Sequence, residues 1–241
     1  MAFDPRSQAQ GRTVDRAYSA DIDVGLRAYM LRVYNYMAMG VALTGIVAYA
    51  VAMNPQIMQT IALSNFKWVL FFGILGLGWF SGRIIFQASS AVAHGAFWLY
   101  SALWGALIAP MIYMYTGESV ARVFFITAAA FAGTSLYGYA TKKDLSTMGR
   151  FLAMSTIGIL VAVLLNAFFL HSGGFHLILS IVVVLVFAGL TAYETQAIKE
   201  FYVSSDGDEL TSRKAIFGAF TLYGSFVTMF VWLLSIFGNQ R

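Results

Sequence analysis

The residue best suited to chemistry in this sequence is a glutamate, Glu194, which interrupts an otherwise apolar stretch. The chain has eleven acidic residues, and most of the others lie in polar segments. If the stretch crosses a membrane, an ionised carboxylate there is costly, so it should face protein or water and have a partner. A carboxyl group in this position can bind a proton or a cation. Glu194 is therefore a candidate ion-path and gating residue.

Arg83 is the candidate partner of that carboxylate. Arg83 and Glu194 each lie near the end of an apolar stretch, and both stretches are expected to run in the same direction across the membrane. Because a helix rises about 1.5 Å per residue, the two side chains come to similar depths. Such a charge pair would close the cytoplasmic end of a polar path, and protonation of Glu194 would weaken the pair. The alternative is that both side chains reach the membrane interface independently.

Composition and hydropathy place these residues in an all-α membrane protein, a seven-transmembrane-helix bundle. Of the 241 residues, 59% are hydrophobic and 11% are charged, and the mean hydropathy is +0.73. Soluble domains carry about 25% charged residues, so the bilayer must solvate most of this chain. A helix needs about 20 apolar residues to span the hydrocarbon layer. Such stretches occur at residues 31–53, 68–86, 91–115, 121–140, 151–170, 177–198 and 215–237, between short tails at 1–30 and 239–241.

The basic residues predict the orientation of the bundle. If the N-terminus is cytoplasmic, twelve of the fifteen lysines and arginines fall on the cytoplasmic side and three fall outside. The excess of positive charge inside favours a cytoplasmic N-terminus and an external or periplasmic C-terminus. The inside set is Arg6, Arg12, Arg16, Arg27, Arg32, Arg83, Lys142, Lys143, Arg150, Lys199, Arg213 and Lys214; the outside set is Lys67, Arg122 and Arg241.

Small residues recur at a spacing that favours close helix packing in lipid. Gly78 and Gly82 lie four residues apart in the second stretch, as do Ala129 and Gly133 in the fourth. Such pairs let two helix backbones approach each other. The alternative is the ordinary glycine usage of membrane helices.

The sequence offers little support for catalysis, and we expect no enzyme. There is no cysteine, no His-Glu-x-x-His motif, no pair of intramembrane aspartates and no nucleotide-binding glycine motif. The basic residues form no aromatic-interleaved patch, so no nucleic-acid partner is expected. We expect no cofactor beyond transient Ca²⁺ binding, and the lipid bilayer as the main partner.

Two polar segments contain side chains of the types that bind metal ions. His171 and His176 flank a short turn, but no third ligand is near, so exposed loop histidines are the better interpretation. The segment from Asp206 to Glu209 loosely resembles a calcium loop but lacks the full EF-hand spacing. A solvated cytoplasmic turn is the better interpretation of that segment.

Several segments resemble the Bax inhibitor-1 (YccA-like) family over nearly the whole chain, from Arg27 to Gly238. The segment 131–146 reads FAGTSLYGYATKKDLS and is followed by Met148-Gly149; residues 105–110 read GALIAP, and 189–196 read GLTAYETQ. The resemblance implies a bundle in which the last helix is surrounded by the other six. The compact loops and short tails favour a bacterial member, located in the inner membrane.

The same resemblance implies a pH-sensitive calcium leak controlled by a carboxylate pair on the sixth and seventh helices. Glu194 stands where the family usually has aspartate. The seventh helix reads Leu222-Tyr-Gly-Ser-Phe226, so Ser225 replaces the second carboxylate. Ser225 can hydrogen-bond to Glu194, but with one negative charge fewer calcium selectivity should suffer. The neighbouring Tyr193 and Tyr223 are candidate supporting polar residues.

Two functions follow from the sequence. The first is a pH-sensitive leak or transport pathway for calcium or protons, gated around Glu194, Arg83 and Ser225. The second is a non-conducting membrane interaction protein that modulates a membrane-bound quality-control protease, a partner that the resemblance implies for some bacterial members.

Overall fold

Over the residues that the structure describes, the fold is an all-helical bundle with seven helices long and apolar enough to cross a membrane, as the hydropathy predicted. The computed structural model describes residues 5–240, with side chains from Val24 onward except at Ala62. The helices are α1 (Pro5–Ala52), α2 (Pro55–Leu63), α3 (Phe66–Gln87), α4 (Ser90–Met114), α5 (Gly117–Ala140), α6 (Ser146–Leu165, extended by a π-helical turn at Asn166–Leu170), α7 (Gly173–Glu200) and α8 (Asp208–Phe237). All except the short α2 are candidate spans.

Two features at the N-terminal end of the chain differ from the sequence prediction. α1 begins at Pro5, within the segment predicted as a tail, and its candidate span begins at Val24. The short helix α2 occupies the predicted first outer loop, because the Asn54 side chain accepts the backbone N–H groups of Gln56 and Ile57 and Pro55 suits a first helical turn. The tail residues 1–4 and 241, and the side chains of Arg6, Arg12 and Arg16, lie outside the described residues. The sidedness of the two termini stays a prediction.

The last helix, α8, is the centre of the bundle. It packs against α1, α3, α4, α5 and α7, while α6 packs mainly against α7. The most hydrophobic window of α8 is 56% buried inside the protein, whereas that of α6 is 6% buried. The central last helix implied by the resemblance is thus present, but five neighbouring helices provide most of its packing.

Basic side chains cap three helices at the end of the bundle that holds the predicted cytoplasmic loops. Lys199 Nζ donates to the carbonyl of Tyr139 at the end of α5 (2.8 Å), and Arg213 donates to the carbonyl of Phe86 near the end of α3 (3.4 Å). Lys214 Nζ donates to the carbonyl of Phe201, just after α7 (2.9 Å). The C-terminus of a helix has unpaired carbonyl groups and a partial negative charge. These cations donate hydrogen bonds to the carbonyls and offset the partial charge. Part of the excess of basic residues at this end of the bundle therefore has a local structural role.

The loop between α7 and α8 is held by an ion pair. Lys214 Nζ lies 2.5 Å from Asp206 Oδ2, and the two side chains are 9% and 14% exposed. Asp206 therefore faces Lys214, whereas Gly207, Asp208 and Glu209 are exposed, as expected of a solvated turn. Among the described residues, no group of three or more His, Cys, Asp and Glu side chains could hold a metal ion.

The closest backbone contacts occur at glycines other than those that the spacing suggested. A methyl group added at Gly133 would have nothing within 4 Å, and at Gly78 and Gly82 it would make only ordinary contacts. At Gly138 it would overlap the backbone of Ala192, where α5 meets α7. The prediction for the pair Ala129 and Gly133 is therefore wrong, because Gly133 faces away from the neighbouring helices.

We predict that Gly138→Ala destabilises the bundle by about 1–3 kcal/mol, the usual cost of overpacking. Gly133→Ala is the matched control on the same helix and should be neutral or stabilising by up to about 1 kcal/mol, because alanine is the better helix former. Thermal unfolding in detergent measures both. Equal stability of the two variants would contradict the close contact between α5 and α7.

Candidate functional site

The candidate site is a contact between a carboxyl group on α7 and a hydroxyl group on α8. Ser225 Oγ donates a hydrogen bond to Glu194 Oε2 at 2.7 Å. Ser225 is 2% exposed, whereas Glu194 is half-buried. Within the described part of the chain, the other carboxyl oxygen, Oε1, makes no hydrogen bond. One oxygen is thus held by the central helix, and the other is available to a proton or a cation.

Two crevices meet at the Glu194 side chain. One, of about 390 Å³, has α8 as its floor, with residues of α3 and α4 on one side and of α6 and α7 on the other. The second, of about 400 Å³, extends from Glu194 between α6, α7 and α8 as far as Phe201, just after the end of α7. Glu194, Thr156 and Thr221 line both crevices. The two threonines place further hydroxyl oxygens along the walls that the carboxyl group faces.

The structure does not bring Arg83 to Glu194, so the predicted charge pair is wrong. Arg83 Nε donates instead to Gln87 Oε1, one turn further along α3, at 3.0 Å. Arg83 is exposed, and no ion pair joins it to Glu194 among the described residues. The reason is the packing order: α3 packs against α4 and α8, while α7 packs against α5, α6 and α8. Arg83 instead points toward the end of its own helix. This agrees with the alternative prediction, in which Arg83 and Glu194 reach the membrane interface independently.

The two candidate supporting tyrosines lie in different environments. The Tyr193 ring covers Gly149 of α6 and lines the second crevice beside Glu194. Tyr223 has no exposed surface, and its hydroxyl contacts Thr44 Oγ1 at 2.5 Å and the carbonyl of Ser101 at 3.5 Å. Since successive helical residues are about 100° apart, Tyr223 and Ser225 face different sides of α8. Tyr223 therefore joins α8 to α1 and α4 and lies outside the site.

Sequence reasoning missed a structural role for Gln196, two residues after Glu194. Gln196 is 4% exposed; its Oε1 accepts the Leu145 N–H at 2.8 Å, and its Nε2 donates to the Lys143 carbonyl at 2.9 Å. These bonds fix the loop between α5 and α6 to α7. The signal was available, because a buried amide in an apolar stretch needs partners.

The histidines have contacts of their own. His94 Nδ1 lies 2.8 Å from the Ser90 carbonyl, and its Nε2 lies 3.4 Å from the Tyr36 hydroxyl. The His176 ring stacks on Trp232 with centroids 5.3 Å apart. His171 adopts a left-handed conformation with φ 48° after the π-helical turn. His171 and His176 are both exposed, as predicted.

Together, the fold and site define a multi-pass helical membrane protein in which the central last helix holds one half-buried carboxyl group of the preceding helix. The profile of the family described as "Inhibitor of apoptosis-promoting Bax1" matches residues 26–241. The chain therefore belongs to the Bax inhibitor-1 family, as the motifs indicated.

Bacterial relatives match along almost the whole chain. The inner membrane protein YbhL of Escherichia coli K12 is 39% identical over 220 residues, which cover 90% of this chain and 94% of YbhL. An uncharacterised protein of Rickettsia prowazekii is 38% identical over 219 residues, with 91% and 92% of the two chains covered. One of Caulobacter vibrioides is 37% identical over 246 residues, with 98% of each chain covered.

We predict that Glu194→Gln folds and is at least as stable as the wild type. The glutamine Oε1 still accepts the hydrogen bond from Ser225, and the carboxyl group that is costly in a membrane is removed. Thermal unfolding in detergent at neutral pH measures the difference. A loss of more than about 2 kcal/mol would show that the carboxylate holds the bundle together and would argue for a structural role.

Proposed function

We propose that this protein is a pH-sensitive cation leak in which Glu194 is the ion-binding group. The observation that carries the proposal is the arrangement of the carboxyl group: Ser225 engages one oxygen, while the other lacks a partner among the described residues where two crevices meet. Polar residues inside membrane-spanning helices that face a cavity commonly mark ion or proton pathways. We propose no catalytic step and no resident cofactor for this protein.

The direction of the pH dependence follows from the absence of an ion pair with Arg83. Protonation of Glu194 breaks no salt bridge among the described residues; it removes the negative charge that attracts a cation. Protons and cations thus compete for the same carboxyl group. Flux of a metal cation should rise as the pH rises through the titration of Glu194 and fall on acidification. A charge pair between Arg83 and Glu194 that protonation weakens would give the opposite pH dependence.

The donor set favours brief binding of a cation over a resident calcium ion. Ca²⁺ takes six to eight oxygen ligands, usually with several carboxylates. Among the described residues that line the crevices, Glu194 supplies the one carboxylate, and Ser225, Thr156 and Thr221 place hydroxyl groups around it. Weak binding suits a pathway, because an ion that binds tightly leaves slowly. Calcium therefore enters the proposal as a transient cargo, with protons as the competing ion.

We also propose a bacterial inner-membrane location with the N-terminus in the cytoplasm. The printed name of the Escherichia coli relative describes an inner membrane protein. The charge bias and the three basic caps at the ends of α3, α5 and α7 support the orientation. In this orientation the second crevice lies toward the cytoplasm.

We predict that Glu194→Gln abolishes most of the pH-dependent cation flux into proteoliposomes, because glutamine has no titrating charge. Glu200→Gln is the matched control, since Glu200 is exposed at the end of the same helix. Calcium and proton uptake are measured with entrapped dyes across a pH series. Wild-type flux that is absent at every pH, or that Glu194→Gln leaves unchanged, would overturn the leak function.

We further predict that Ser225→Asp increases calcium flux relative to monovalent cation flux at neutral and higher pH. A second carboxyl group next to Glu194 adds an oxygen ligand and a negative charge, which Ca²⁺ prefers. Ser225→Ala is the comparison: it removes the hydrogen bond to Glu194 and should reduce calcium flux. Flux ratios measured with both cations present test the pair. Identical ratios in both variants would exclude Ser225 from the ion path.

A further inference from the structure

A groove on the opposite side of the bundle from the crevices lies between α1 and α5. It has a volume of about 540 Å³ and begins at Arg27, near the start of the α1 span. Arg27, Leu31 and Tyr34 line it from α1 at the spacing of one helix face, and Ala132 and Leu136 line it from α5 in the same way. The principal packing partners of α1 are α4 and α8, so α1 and α5 leave this groove between them.

The polar groups at the base of the groove are bonded to each other. The Tyr34 hydroxyl lies 2.6 Å from Ser135 Oγ, which lies 2.9 Å from Thr195 Oγ1 on α7. The hydroxyls therefore satisfy one another across three helices. The remaining wall is almost entirely apolar, with Met30, Leu31, Phe131 and Leu136. Such a groove, open at the side of a membrane protein, suits a hydrocarbon chain.

A cationic side chain, Arg27, lies at one end of the groove. Arg27 is exposed and lines the groove near the start of the α1 span. Lys142 and Lys143 are also exposed and follow directly after α5, within four residues of the groove residue Tyr139. In the proposed orientation these three cations lie at the cytoplasmic surface. A cation next to an apolar groove complements an acidic phospholipid, whose phosphate and acyl chain have the same arrangement.

We propose that this groove binds one acidic phospholipid of the adjacent leaflet. The headgroup phosphate contacts the Arg27 guanidinium, and an acyl chain lies between Leu31 and Leu136 over the Tyr34–Ser135 hydrogen bond. The occupant comes from the bilayer itself, which surrounds this face of the protein. Lipid bound here braces α1 against α5, which do not pack closely in this half of the bundle.

Native mass spectrometry of the full-length protein, with phosphatidylglycerol and phosphatidylethanolamine of identical acyl chains added in detergent, tests the site. The wild type should retain one phosphatidylglycerol in preference to phosphatidylethanolamine. Ala132→Trp fills the groove and should reduce retention of both lipids. Ala130→Trp is the matched control, because Ala130 is exposed on the same helix and does not line the groove; it should bind like the wild type.

The charge is tested separately. Arg27→Gln should lower the preference for phosphatidylglycerol about fivefold, the effect expected of one cation at an anionic surface. Arg32→Gln, an exposed arginine of the same helix outside the groove, should leave the preference unchanged. Equal retention of the two lipids by the wild type, or equal effects of Arg27→Gln and Arg32→Gln, would overturn the proposal. Retention of neither lipid would also overturn it, and would suit a groove reserved for a partner's membrane helix.

Discussion

The constraint that governs this bundle is the need to accommodate a carboxyl group on a membrane-spanning helix. A bilayer offers little water to solvate Glu194, so the protein must supply a hydrogen-bond donor or leave the group facing a cavity. It does both: the buried hydroxyl of Ser225 donates to one oxygen, and the other oxygen lies where two crevices meet. This division keeps the carboxyl group in place and leaves it able to exchange a proton or a cation.

The central position of α8 makes that arrangement possible. Helices in lipid associate through close packing and hydrogen bonds, because lipid tails are as apolar as leucine. The Tyr223 hydroxyl contacts α1 and α4, and the Ser225 hydroxyl donates to α7. Two residues on different sides of α8 thus connect it to three other helices. α6 lies at the edge of the bundle and packs mainly against α7. Residues of α6 form part of the wall of each crevice. A peripheral wall can move with less disruption than a central one.

Much of the fold was predictable because the bilayer imposes a simple requirement on length and hydropathy. Glu194 was recognisable for the same reason, since an acid stands out in an apolar stretch, and its contact with Ser225 followed from the family motifs. Arg83 was misplaced because equal depth does not make two helices neighbours. Gly133 and Tyr223 were misjudged because spacing along a helix does not reveal which face meets another helix. Those facts depend on the packing order of the helices, which emerges only from the folded bundle.

The most direct test of the carboxyl–hydroxyl contact is infrared difference spectroscopy of the protein in lipid during acidification. A protonated carboxyl group gives a carbonyl stretching band whose frequency depends on its hydrogen bonds. Acidification protonates all eleven acidic side chains, so several such bands appear in the wild type. One of them should be missing in Glu194→Gln and shifted in Ser225→Ala, which removes the donor. If Glu194→Gln loses no band, or if Ser225→Ala leaves the band that Glu194→Gln loses unchanged, the placement of Glu194 against the central helix is contradicted.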